Sequence, residues 1–323
     1  MKIVFKNISE MMVGHGGFLD ELRETFPGVE FVVPDSEDQV INEIVDAEAI
    51  CGIPTIDEYV AAKSLRWVHQ PASGVHMEVG HPLIESDVVL TNSPGPHAIP
   101  MADYVFAVML NWTHRMEERM LDQRAHLWAP EKYRSGLEEV SGQTMGILGF
   151  GGVGQAVARR AHGFDMKVYA VARTEKPATP EVEAVWGENK IEDLLKISDW
   201  FVITAPLTPS TRCMINRERV AMMKPGARVI VLSRAHIIDE QALTEALQSG
   251  HIAGAAFDNF ETPDGVLPSD SPLWDMPNVV ITPHTSSNSD QLESGRRAIF
   301  IENLHRFLNG EQFIRVCDKQ LGY

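Results

Sequence analysis

From its first residues the chain alternates short apolar runs with stretches in which apolar residues recur every three or four positions. "KIVF", "FLDELRETF", "VEFVVP", "VINEIVDAEAICG", "LRWVHQ" and "VVLTNS" follow one another over residues 2–93. Apolar runs bounded by polar turns read as buried strands, and the amphipathic pieces between them as crossover helices, so this rhythm predicts a parallel sheet covered by helices. Residues 97–127, "HAIPMADYVFAVMLNWTHRMEERMLDQRAHL", break the rhythm. Their apolar residues keep helical spacing with no breaker after Pro100, which predicts one long helix that bridges two domains or pairs with another subunit. A second series then starts at "TMGILGF" and runs through "KVYAVA", "WFVITAP", "RVIVLS", "IAGAAFD" and "VVITPH", with helical segments between. Six strands with crossovers make a doubly wound sheet. The last amphipathic stretch, "QLESGRRAIFIENLHRFLNG", is expected to return to the first domain. The division expected is therefore residues 1–99 with 286–323 as one domain and 100–285 as the other.

Composition narrows the class. With 323 residues, 44% hydrophobic and 23% charged, the chain is long enough for two packed domains and is neither fibrous nor disordered. A net charge of −17 repels a phosphate backbone or an anionic membrane, which argues against nucleic acid and membrane partners. The three cysteines are far apart and show no CxxC spacing, so neither a disulfide framework nor a zinc site is expected. No stretch reaches the length of a spanning helix and the N-terminus has no leader pattern, from which a cytoplasmic location is expected.

Two features carry candidate chemistry. "GILGFGGVGQAVARR" sets Gly149, Gly151 and Gly154 in GxGxxG spacing directly after an apolar strand and at the opening of a helix. The first glycine permits the turn, the second admits a pyrophosphate to the backbone, and the third lets the helix pack on the strand, with the helix N-terminus meeting the phosphates. In a dinucleotide-binding unit the next strand ends about 20 residues on, where an acidic residue binds the ribose of NAD. Here the end reads Ala172, Arg173, Thr174. Arg173 can pair with a 2′-phosphate, which favours NADP, while Glu175 is close enough to serve NAD if the strand ends later. The second feature is Arg234, which closes the apolar run "RVIVLSR". A permanently charged guanidinium beside a core needs an anion.

The chain resembles the D-isomer-specific 2-hydroxyacid dehydrogenase family. The resemblance rests on the GxGxxG, "TAPLTPSTRCMIN" (204–216), "LSRAHIIDEQALTEALQSGHIAGAAFDNFE" (232–261) and "LPSDSPLWDMPNVVITPH" (267–284), and more loosely on "ASGVH" and "TNSPGPHAIPMADYVFAVML". It implies two Rossmann-like α/β domains of doubly wound parallel sheets with a cleft between a cofactor domain (100–285) and a substrate domain. It implies that Arg234 binds the substrate carboxylate and polarises the keto oxygen, and that His284 donates the proton. The family's glutamate that orients this histidine has no clean counterpart: counting from the aspartate reaches Pro263 and counting back reaches Gly265. Asp264 between them is the candidate and Glu261 the second. The implied cofactor contacts are Gly149, Phe150, Gly151, Gly152, Val153, Gly154, Arg173, Thr174, Ala205, Pro206, Thr211, Leu232, Ser233 and Asp258, the last toward the nicotinamide carboxamide. Ser73, Gly74 and Val75 are expected to offer backbone N–H groups to the carboxylate. Trp67, His76, Met77 and Met101 are candidates for shaping the pocket. Ala235 stands where the family usually has glycine.

The implied activity is NAD(P)H-dependent reduction of a 2-oxo acid to a D-2-hydroxy acid by a homodimer, without a metal. A non-catalytic nicotinamide sensor, like the co-repressors of the same fold, is the alternative, and formate or phosphite oxidation a third reading. The substrate side chain is not specified by the sequence.

Overall fold

A computed structural model describes residues 1–6, 17–75, 77–78, 80–260 and 266–320. The chain forms two compact units, Met1–His97 with Ser289–Tyr323, and Ala98–Asn288.

The first unit is built on β1 (Lys2–Phe5), β2 (Glu30–Val32), β3 (Ala49–Cys51), β4 (Trp67–Gln70) and β5 (Val89–Asn92), all parallel in the order β2-β1-β3-β4-β5. Helices α1 (Phe18–Thr25), α2 (Glu37–Glu43) and α3 (Ile56–Ala61) make the crossovers. Because helices cover both faces, the central strands carry apolar residues on both sides, which is why "KIVF" and "AIC" are uninterrupted. One face is filled by Phe5, Phe18, Leu22, Phe26 and Trp67 with Phe300, Leu304 and Phe307 from the C-terminal helix Leu292–Asn309, so the last stretch does return to this unit. The other face packs Val4, Val40, Ile44, Ile50, Val68 and Leu90, with Met77 against it.

Trp67, a sequence candidate for the pocket, is instead core. It is fully buried, stacks on Phe300 at 5.4 Å and donates its indole N–H to Thr91 Oγ1 at 2.9 Å. Thr91 Oγ1 also lies 2.9 Å from Nδ1 of His69, whose Nε2 meets Ser93 Oγ at 3.2 Å. Indole can only donate, so Thr91 Oγ1 accepts from Trp67, and both nitrogens of His69 have a hydroxyl partner. His76 lies outside the described residues.

The second unit opens with α4 (Gly95–Thr113), within which the division falls, and α5 (Met116–Arg124). The single long helix expected over 97–127 is therefore two. Arg115 sits in the left-handed region at φ 49°, which ends the first helix, and its guanidinium then binds Glu118 in the first turn of the second. None of α5 is buried. Then come β6 (Thr144–Leu148), α6 (Gly152–Gly163), β7 (Lys167–Val171), β8 (Ala184–Trp186), α7 (Ile191–Ile197), β9 (Trp200–Ile203), α8 (Arg217–Met222), β10 (Ala227–Val231), α9 (Glu240–Gln248), β11 (Ile252–Phe257) and β12 (Val279–Ile281). The sheet is parallel in the order β12-β11-β10-β9-β6-β7-β8. It has the six expected strands and adds β8, three residues long, at the edge beyond β7. The strand order reverses between β6 and β9, which makes their carboxyl ends the switch point where doubly wound sheets bind ligands. Two apolar clusters cover its faces, and Met101, another pocket candidate, packs against one of them.

Burial pushes the His69 imidazole down from its usual value near 6.5 to about 3. The unfolded chain takes up a proton that the folded chain refuses until about pH 3. Stability from this site is therefore complete above about pH 6.5 and falls as the pH drops toward 3. Replacing His69 with Gln is expected to shrink the difference between urea midpoints at pH 7 and pH 5; an unchanged difference would contradict the assignment.

Candidate active site

The glycine loop begins where β6 ends. Gly149 has φ +99°, and a Cβ there would sit 2.5 Å from the Ala205 nitrogen. A Cβ on Gly154 would sit 2.2 Å from the Gly149 carbonyl oxygen, which itself accepts from Thr204 Oγ1 at 2.7 Å. Both positions therefore demand glycine for packing. Gly151 is different: nothing lies within 4 Å of where its Cβ would be. It is also the N-cap of α6 and has no side chain to offer the first N–H groups of that helix. An open space above glycine, at the positive end of a helix, fits a pyrophosphate. Phe150 is buried in the core, so only its backbone can face a ligand, and Val153 packs against the same cluster. Gly152 lies within the first turn of α6.

Beyond β7, Arg173, Thr174 and Glu175 are exposed. Lys176, which the sequence reading did not single out, bends back so that its Nζ donates to the Phe150 carbonyl at 3.2 Å. A cation is thereby fixed beside the glycine loop. After β9, the Ala205 amide donates to Leu148 O at 2.9 Å, and Thr211 Oγ1 closes the following turn on Pro206 O at 2.7 Å. Thr211 is buried, and its hydroxyl shapes this loop.

β10 and β12 flank β11, with Val231, Phe257 and Ile281 in register. Leu232, buried, and Ser233 continue from β10 to Arg234, a half-buried side chain whose Nη1 donates to Ser233 O at 2.8 Å. Ala235 has no positive φ and its side chain packs in the core, so the glycine usual in the family is not required here. From β12 the chain passes Thr282 and Pro283 to His284, exposed and in the left-handed region at φ 54°. At strand spacing of about 4.8 Å, the backbones leading to Arg234 and His284 leave one sheet edge roughly 10 Å apart, within reach of both side chains.

What holds these segments is the pair that ends β11. Asp258 is 1% exposed, and its carboxylate accepts from Thr282 Oγ1 at 2.5 Å and from the Thr285 and Ser286 amides, each at 3.0 Å. Its carbonyl accepts from the His284 amide at 2.7 Å. Asn259, also 1% exposed, accepts from the Ala235 amide at 3.1 Å, and its side-chain Nδ2 lies 3.2 Å from His284 Nε2. Asp258, expected to meet the nicotinamide, anchors the histidine segment in the structure. Asn259, which the sequence reading did not single out, is the side chain placed beside the His284 ring. Asp264 and Glu261, the expected histidine partners, lie outside the described residues.

In the first unit, Ser73, Gly74 and Val75 form a turn after β4; the Ser73 carbonyl accepts from Asn92 Nδ2 at 2.7 Å, and Val75 packs in the core. Among the described residues no cluster of three or more His, Cys, Asp or Glu is placed to hold a metal, and no helix is long and apolar enough to cross a membrane.

Comparison with known proteins bears on this arrangement. Residues 106–286 match the family model described as D-isomer specific 2-hydroxyacid dehydrogenase, NAD binding domain. The chain is 34% identical over 281 residues to the glyoxylate reductase of Thermococcus onnurineus, covering 84% of this chain and 79% of that one. It is 39% identical over 236 residues to the glyoxylate/hydroxypyruvate reductase B of Pectobacterium carotovorum, with 71% of each covered. Among solved structures, the NADPH-dependent glyoxylate/hydroxypyruvate reductase of Sinorhizobium meliloti, in complex with NADP and sulfate, superposes with TM-score 0.82 at 25% identity, covering 100% of this chain and 99% of that one.

Proposed function

Given that this chain belongs to the D-isomer specific 2-hydroxyacid dehydrogenase family, and so reduces 2-oxo acids with a nicotinamide cofactor, we propose that Arg234 and His284 carry the chemistry on a small 2-oxo acid of the glyoxylate or hydroxypyruvate class. The observation that supports this most is that both residues leave the same sheet edge on strands two apart, with the Ala235 amide next to Arg234 on the Asn259 carbonyl and His284 on Asp258 and Asn259. The glycine loop, the open space over Gly151 and the start of α6 fit the cofactor's pyrophosphate.

The bound nicotinamide supplies a hydride to the keto carbon. Arg234 binds the substrate carboxylate through its planar fork of donors and keeps the keto oxygen polarised, which a lysine point charge does less well. His284 gives its proton to that oxygen as negative charge develops there, and because its ring is exposed it recovers the proton from solvent. Ser73, Gly74 and Val75 remain the proposed backbone donors on the first unit, and Asp264, with Glu261 as alternative, the proposed carboxylate for His284. Ala205, Pro206, Leu232, Ser233 and Asp258 are proposed to line the cofactor through backbone and small groups. The domain roles follow: residues 100–285 bind the dinucleotide.

We further propose NADP over NAD, because Arg173 and Lys176 follow β7 where a carboxylate would repel a 2′-phosphate, and Lys176 is held at the glycine loop. A homodimer is proposed from an apolar set left in water at α5 and after it: Met116, Met120, Leu121, Leu127 and Trp128, the last 94% exposed. Free Cys51, Cys213 and Cys317 suit the reducing cytoplasm.

With the reduced cofactor and a panel of 2-oxo acids, loss of nicotinamide absorbance is expected with glyoxylate or hydroxypyruvate. His284→Gln should lower kcat by about 10²–10⁴, the usual worth of a general acid. Arg234→Gln should lower kcat/KM at least 30-fold, the low end of the about 2–5 kcal/mol lost when a buried charge pair is truncated. No turnover in the parent, or full activity in either variant, would refute the roles. The double variant R173A/K176A should weaken NADPH binding about tenfold or more and leave NADH within threefold; equal losses for both cofactors would remove the NADP reading. Sedimentation at micromolar concentration should give twice the 35.9 kDa chain mass; a monomer would contradict the dimer.

A further inference from the structure

We propose that Asn259 is a positioning residue for the reaction: its carboxamide N–H holds the unprotonated His284 imidazole in one orientation through Nε2. The inference rests on the reading of His284 as proton donor. The residue follows Asp258 at the carboxyl end of β11 and is 1% exposed, a buried polar residue between the core residues Phe257 and Phe260 in sequence. A carboxamide in such a place must have partners. Its backbone carbonyl is bound by the Ala235 amide at 3.1 Å and its Nδ2 is 3.2 Å from His284 Nε2. The same residue therefore touches the segment after Arg234 through its main chain and the proposed acid through its side chain.

The chemistry of an amide suits this place. Its N–H donates to Nε2 only while that nitrogen is unprotonated, so the contact orients the neutral ring with its proton on Nδ1. A carboxylate would accept from the ring instead and adds a charge that favours the imidazolium. The amide therefore fixes the orientation and tautomer of the neutral imidazole without adding a charge. The left-handed backbone of His284, held by the Asp258 carbonyl, aims the ring at Asn259, so the ring is constrained at both ends.

Asn259→Leu keeps the volume and removes the hydrogen bond; Asn259→Ser keeps a buried hydroxyl but is too short to reach the ring. Both are compared with the parent full-length protein and with His284→Gln. Binding of the reduced cofactor, followed by fluorescence, reports folding. The expected result for both variants is a 10- to 100-fold loss of kcat, with KM for the 2-oxo acid and for the cofactor within twofold. In ¹⁵N-histidine spectra the His284 ring, assigned by its disappearance in H284Q, should change from a single hydrogen-bonded form to exchange-averaged shifts. If one variant fails to bind cofactor, the other decides. Unchanged kcat, or ring shifts identical to the parent, overturns the proposal. If H284Q keeps full activity, the proton-donor reading fails instead, and the ring shifts still decide whether Asn259 holds the imidazole.

Discussion

A buried carboxylate is costly unless donors surround it, and that constraint organises the candidate site. Asp258 is met by one hydroxyl and two backbone amides, all from the six residues after β12. Hydrogen bonds to a charged group are worth about 1.5–3 kcal/mol each, so a segment that starts from a strand of only three residues acquires a fixed path. His284 lies in the middle of that path, and its own amide goes to the Asp258 carbonyl. The unfavourable left-handed backbone at this residue persists because these bonds over-determine it.

The rest follows from a parallel sheet with a reversal in strand order. Every strand of the second unit ends on the same edge, so groups separated by more than 100 residues meet there without any long excursion: the glycine loop after β6, Lys176 after β7, Ala205 after β9, Arg234 after β10 and His284 after β12. Glycine is forced at Gly149 and Gly154 by packing, whereas at Gly151 the space is left open. The same loop that closes the strand-to-helix turn thus leaves room for a phosphate group. Arg234 and His284 leave that edge on strands two apart, and the Asp258–Asn259 pair that follows the middle strand binds both the Ala235 amide beside Arg234 and His284.

Much of this was legible in the sequence where the constraint is local. The apolar runs marked the strands because parallel strands are buried on both faces, and the GxGxxG marked its loop because two of its positions admit nothing larger. What escaped the sequence depended on distant partners. Trp67 could be read as pocket or as core; its burial is decided by Phe300 and Phe307, more than 200 residues away. Met116, Met120 and Leu121 keep helical spacing and suggested one continuous helix, but these side chains stay exposed, and the left-handed Arg115 ends the run. β8 was not read from the sequence, although β2, β3 and β12 are equally short. Asn259 left one usable signal, a second polar residue after the aspartate at a strand's end, between two phenylalanines. Lys176 left less, since its role depends on the fold of the loop from Arg173 onward.

The central claim is that one sheet edge gathers Arg234 and His284 around the reacting carbon of a 2-oxo acid. It is tested most directly by a crystal structure with the oxidised cofactor and oxamate, a non-reducible analogue of a 2-oxo acid. The account predicts the oxamate carboxylate on the Arg234 guanidinium and the analogue's amide oxygen within hydrogen-bond distance of the His284 ring, with the pyrophosphate over Gly151. Oxamate bound with its carboxylate away from Arg234, or His284 turned from the analogue, would contradict it.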